Sequence, residues 1–174
     1  MESVLINLTD IFKSEGKIES FDIPYDNDLE SNGMVYNVKD GSLALTVKNV
    51  GQGKVKISGK GDFTVTMPCD RCLTDVDVKV SPDFEYEVDE PDERGTLSDE
   101  EFFMDGYVLD SESLIRNELI MGLPMKVLCK DDCKGLCPVC FVNLNERSCG
   151  CDTFVPDPRM AAIQDIFNAN NKEV

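Results

Sequence analysis

The residues whose types and spacing could do chemistry are eight cysteines. Six lie between Cys129 and Cys151, in LCKDDCKGLCPVCFVNLNERSCGC, and two, Cys69 and Cys72, form a CxxC pair far upstream in PCDRCL. In CPVC a single tight turn can aim the sulfurs of Cys137 and Cys140 at one ion, as tetrahedral zinc requires at about 2.3 Å per bond. Cys69 and Cys72 repeat that spacing. Cys129 and Cys133 stand at C-x3-C, and Cys149 and Cys151 flank a glycine that lets the backbone bend sharply. The expectation is two Zn²⁺ ions, each held by four thiolates drawn from Cys69, Cys72, Cys129, Cys133, Cys137, Cys140, Cys149 and Cys151. Short loops close at lower entropic cost, which favours Cys137, Cys140, Cys149 and Cys151 as one set and leaves Cys69, Cys72, Cys129 and Cys133 as the other. Other divisions stay open at this level.

Disulfides are the competing use of eight thiols, and they belong to secreted, cysteine-dense chains. Cysteine here is about 5% of 174 residues, below the roughly 8–10% of disulfide scaffolds. The start, MESVLINLTDIFKSEGK, lacks a basic region followed by an apolar run, and no segment approaches the ~18 apolar residues of a membrane span. A cytoplasmic location without a membrane partner is therefore expected, with inert or redox thiols as the remaining alternative to zinc.

Charge narrows the partners. Seventeen basic against 34 acidic residues give a net charge of −17, and each four-thiolate zinc site would add about −2. Such a chain repels a phosphate backbone over most of its surface and is a better match for a basic protein. The absence of histidine removes the commonest acid/base group. No Ser–His triad, HExxH motif, Gly-rich phosphate loop or open three-ligand zinc site is present, so neither an enzyme nor a small-molecule substrate is expected.

The elements that must position the thiols read as follows. Residues 3–8 alternate weakly as a first strand, and Thr9 and Asp10 cap a helical turn through Ile11 and Phe12. Ile18 to Ile23 is a short strand stopped by Pro24, and YDNDLESNG is a loop. From Met34 to Val80 the pattern is β, with strands at Val35 to Val38, Leu43 to Val50, Val55 to Met67 and Val76 to Val80. Its turns are expected at Asp40–Gly41, at Gly51 to Gly53 and at PCDRCL. Lys54, Lys56 and Lys60 share one face with Ser58, with Lys48 and Lys79 nearby, as either an RNA-contacting patch or a solvated face. DFEYEVDE can form an edge strand guarded by carboxylates, and PDERGTLSDEE is a linker. Ser111 is the expected N-cap of a helix carrying Leu114, Ile115, Leu119, Ile120 and Leu123, which Gly122 and Pro124 end. DPRMAAIQDIFNAN is expected as a short amphipathic helix.

The fold class is thus α+β: an antiparallel sheet or partly open barrel in meander order, with a packed helix and a C-terminal cysteine-rich zinc module. Three segments are expected: a β domain over 1–95 carrying the first CxxC, an acidic linker over 96–110, and helix, zinc module and terminal helix over 111–174.

In order and spacing, PCDRCL, LPMKVLCKDDCKGLCPVCFVNLNERSCGC and DPRMAAI resemble the YceD-like large ribosomal RNA subunit accumulation proteins. Gly135, Leu136, Asn143, Leu144 and Asn145 join the cysteines in the match. The resemblance implies a cytoplasmic, bacterial or organellar non-enzyme needed for accumulation of large-subunit ribosomal RNA. It also implies a basic large-subunit protein as partner, its small zinc-ribbon protein in particular. Members usually have glycine after CPxC, where this chain has Phe141, a residue less suited to a left-handed backbone. Two other functions compete. One is direct binding of ribosomal RNA or a pre-ribosome through Lys54, Lys56, Lys60, Arg71, Lys126, Lys130, Lys134 and Arg147. The other is a redox-controlled holdase.

Overall fold

Apolar and polar residues alternate along four long stretches of chain, and each becomes a strand with one face buried and one wet. The computed structural model describes residues 4–31, 33–91 and 102–151. In order the elements are β1 (Leu5–Asn7), α1 (Thr9–Phe12), β2 (Ile18–Tyr25), β3 (Leu29–Ser31), β4 (Met34–Gly51), β5 (Lys54–Pro68), β6 (Asp75–Val80), β7 (Asp83–Asp89), β8 (Met104–Asp105), β9 (Val108–Asp110) and α2 (Ser111–Gly122). The expected terminal helix and most of PDERGTLSDEE lie outside the described residues.

The main sheet is antiparallel, in the order β2-β4-β5-β6, with β3 on β4 and β7 on β5. Among the described residues it is open, not closed into a barrel. β6 and β7 pair successive halves of β5 in one register, Val80 opposite Phe63 and Asp83 opposite Lys60. Together they form one long edge strand, bent at Ser81 and Pro82. A small second sheet, β1-β9-β8, joins the start of the chain to the residues before α2.

Five expectations change. Asp40–Gly41 is not a hairpin turn: β4 runs through it as a bulge, with a register shift between Lys39 and Ser42 and Asp40 at φ 49°. Both flanking halves pair with β5 instead of with each other. A Cβ on Gly41 would sit 2.5 Å from Phe63 Cδ1 and 2.6 Å from the Tyr25 carbonyl oxygen, so the glycine serves a close approach. The YDNDLESNG loop contains β3, whose Leu29 is fully buried. The strand before it continues through Pro24 to Tyr25, which an edge position permits.

The segment expected as a linker up to Asp110 ends in β8 and β9, and Asp110 caps α2. Its carboxylate accepts from the backbone N–H of Glu112 and Ser113, while Ser111, the expected cap, is buried and donates its hydroxyl to the Val4 carbonyl. α2 buries Leu114, Ile115 and Leu119 in the same cluster as Leu45, Val47, Ile57 and Val65 of the sheet. At about 1.5–3 kcal/mol per fully buried side chain, that face holds the helix down. Where it ends, a Cβ on Gly122 would lie 2.7 Å from Val80 Cγ1, and Leu123 turns to an extended conformation before Pro124. The chain then runs from the far end of β6 back toward the β5–β6 turn.

Candidate metal centres

β5 ends at Pro68 and the chain reverses over Cys69 to Thr74 into β6. Cys69 N–H donates to the Thr74 carbonyl at 2.8 Å and Leu73 N–H to the Cys69 carbonyl at 2.9 Å, closing a knuckle around Cys69 and Cys72. The irregular segment leaving α2 is clamped to it by two hydrogen bonds. Asp70 N–H donates to the Val127 carbonyl at 2.9 Å, and Val127 N–H donates to the Asp70 carboxylate at 2.7 Å. That clamp delivers Cys129 and Cys133. Cys69 Sγ then lies 3.8 Å from Cys133 Sγ, and Cys72 Sγ 3.5 Å from Cys129 Sγ. Four sulfurs about 2.3 Å from a common tetrahedral ion would be about 3.8 Å apart, so the set fits such an ion.

A second knuckle follows. Phe141 N–H donates to the Cys137 carbonyl at 2.9 Å, as Leu73 does to Cys69, and Cys137 N–H donates to Val142 at 2.9 Å. An isolated bridge between Leu136 and Asn143 closes this loop. Here Cys137, Cys140, Cys149 and Cys151 gather, and in each of the two groups all sulfurs lie within 4.8 Å of one another. The structure therefore brings the eight thiols together in the two sets that loop length favours. The first set is mostly buried and the second lies nearer the surface. They adjoin: Leu136 N–H donates to the Arg71 carbonyl at 3.1 Å, and the Arg71 guanidinium donates to the Cys133 carbonyl at 2.8 Å.

Hydrogen-bond donors aimed at sulfur divide the charge within each set. Burial pushes the Cys69 thiol up, but N–H bonds from Arg71, Cys129 and Cys72 outweigh it and hold the group at about 6. Backbone N–H groups of Cys140 and Val139 likewise bring Cys137 to about 6. Cys133 is lowered against its burial by the Asn145 side-chain amide, 3.3 Å from its sulfur, and by the Gly135 N–H. Burial and the neighbouring sulfurs of Cys72 and Cys133 push Cys129 up to about 12, and Cys151 is pushed there first by Cys140. A cation among the four would remove that mutual repulsion and favour every thiolate. Each set could supply a four-coordinate shell made entirely of protein sulfur.

Reading the residues alone missed three supports. Asn145 orients Cys133 and accepts from Lys134 N–H at 2.9 Å, and Asp70 ties down the segment before Cys129. The third is Leu73, at φ 59°, the counterpart of Phe141 at φ 57°. Their sequence signal was the position after the second cysteine of each CxxC. Left-handed backbone at Phe141 is as expected for a site where glycine is usual, and its N–H bond to Cys137 is made nonetheless. The lysine face is brought together but is not free. Lys54, Lys56 and Lys60 are 3.4, 2.6 and 2.9 Å from Asp89, Glu85 and Asp83 of β7.

Residues 57–167 match the family described as "Large ribosomal RNA subunit accumulation protein YceD". Uncharacterized proteins of Mycobacterium bovis and Mycobacterium tuberculosis are 32% identical to the chain over 135 residues, covering 72% of it and 61% of their own length. The chain thus spans about three fifths of these curated relatives. No solved structure matches it. The chain belongs to the YceD family.

Proposed function

We propose that this member of the YceD family is a non-catalytic ribosome-assembly factor, loaded with two zinc ions and needed for accumulation of large-subunit ribosomal RNA. It acts by holding a basic large-subunit ribosomal protein, its small zinc-ribbon protein in particular, before that protein meets RNA. The observation that carries the ribosomal role is the family match, which spans both knuckles and all eight cysteines. Zinc is favoured because four thiolates at tetrahedral spacing suit a soft, redox-inert ion that needs no open position. Among the described residues no helix is long and apolar enough to cross a membrane. The reading places the protein in the cytoplasm.

A protein partner is preferred over RNA on charge. The net charge is −17, and the sheet lysines offered for phosphate are already paired with β7 carboxylates. Direct RNA contact would draw mainly on the cysteine module, where Lys126, Lys130, Lys134 and Arg147 are interspersed in sequence with Asp131, Asp132 and Glu146. A redox holdase is disfavoured because closed four-thiolate sites resist oxidation better than exposed thiols do.

The test is purification from native cells at low salt, with the co-eluting protein and RNA identified and the metal content measured. Zinc at two per chain and a basic large-subunit protein that is lost between about 50 and about 500 mM salt are expected. Recovery of ribosomal RNA alone, retained after that protein is removed, would transfer the reading to direct RNA binding.

A further inference from the structure

The outer edge of the main sheet alternates in charge strand by strand. On the solvent face of β5 stand Lys54, Lys56 and Lys60, and beside them on β7 stand Asp83, Glu85, Glu87 and Asp89. Each lysine is ion-paired to a β7 carboxylate, while Glu87 has no cationic partner among the described residues. The next row outward would complete the ladder if it were basic.

β7 has no strand on its outer side among the described residues, so alternate backbone N–H and C=O groups along Asp83–Asp89 are unpaired by the sheet. It contains no internal proline. The opposite edge does: Pro24 lies within β2, and a break over residues 26–28 separates β2 from β3. On the inner side of β7, Phe84 and Tyr86 are only half-buried, Tyr86 with its ring 5.2 Å from that of Phe103. The flank of α2 facing this edge carries Glu118, which accepts the Tyr86 hydroxyl. Three residues on is Met121, 78% exposed.

From these features we propose that β7 is a strand-addition site for an extended basic segment of a protein partner, with lysine or arginine on its solvent side and apolar residues on its inner side. This rests on the reading of a basic protein as partner and names the surface that receives it. Backbone hydrogen bonds along the edge would supply affinity irrespective of sequence, and the carboxylate row would select charge. The same carboxylates repel a second copy of the edge, so the strand is closed to self-association while open to a basic chain.

The probe is a synthetic peptide of alternating valine and lysine, about seven residues long to match one strand, together with its analogue N-methylated at alternate backbone positions. The plain peptide should bind the metal-loaded protein and slow amide exchange along β7. N-methylation, which keeps every charge but removes edge hydrogen bonds, should weaken binding at least about tenfold, and Glu87→Lys, at an exposed position outside the core, should do so by about tenfold. The proposal is overturned if the peptide fails to bind, if the N-methylated analogue binds equally well, or if the slowed amides lie on β2. Should Glu87→Lys capture the native basic partner as well as the parent protein does, the edge is not the site, while the partner itself stands.

Discussion

At the residue scale the two knuckles share one compromise. Leu73 and Phe141 each occupy a left-handed backbone position directly after the second cysteine, and each side chain is largely in solvent, 64% and 73% exposed. Such a conformation costs an L-residue roughly 1–2 kcal/mol, partly offset in any glycine variant by the greater entropy of its unfolded chain. Leu73→Gly and Phe141→Gly are therefore expected to raise stability, each by up to about 1 kcal/mol, in thermal unfolding of the metal-loaded protein. Loss of stability in both would mean that the exposed side chains pack against something in solution.

The thiols give a pH signature in the metal-free protein. Cys69 and Cys137 sit at about 6, against 9.0 for an ordinary thiol. Their folded-state values are lowered, so they stabilise as thiolates. That contribution is fully present above pH 9.0 and is lost as pH falls through about 6. Cys129 and Cys151, pushed up to about 12, have the opposite sign: they stabilise as thiols below pH 9.0 and lose that contribution as pH rises through about 12. Thiolate ultraviolet absorbance should accordingly rise in separated steps, one near pH 6 and another far above pH 9.0. A single step near pH 9.0 would show that the donors do not reach the sulfurs.

At the element scale, two small features hold large pieces in place. Gly41 lets β4 bulge against Phe63 and the backbone of Tyr25, and a backbone oxygen cannot move aside as a flexible side chain could. Gly41→Ala is expected to cost about 1–3 kcal/mol in denaturant unfolding. Asp110 satisfies two backbone donors at the start of α2, and Asp110→Ala should cost about 0.5–2 kcal/mol. Ser111→Ala loses only its bond to Val4, which ties α2 to the chain start, so the pair of variants separates capping from docking.

At the scale of the whole molecule the two cysteine sets differ in reach. The first joins the β5–β6 turn to residues that follow α2, with Cys69 and Cys133 separated by 64 in sequence. The second closes within residues 137–151. Cys69→Ser should remove one ion of two and lower the unfolding midpoint of the sheet itself. Cys149→Ser should remove the other and leave β-sheet circular dichroism and its melting unchanged. Metal analysis beside thermal melts reads both outcomes, and an equal effect of the two variants on the sheet would contradict the division of labour.

Sulfur content, knuckle spacing and the alternation of the long strands were decided within a few neighbouring residues, and these the sequence determined by itself. It sufficed to expect two four-cysteine sets, an antiparallel sheet or partly open barrel, and the helix carrying Leu114, Ile115 and Leu119. Register was not local. Whether Asp40–Gly41 turns or bulges depends on which strand lies opposite, and whether Lys56 is free depends on Glu85 arriving beside it. Capping by Asp110 instead of Ser111 followed from the pull of Val4 on the serine hydroxyl, a contact across 107 positions. Only the tertiary structure decided these points, because hydrogen bonds and charges choose partners by proximity in space, and proximity is set by how the strands pair.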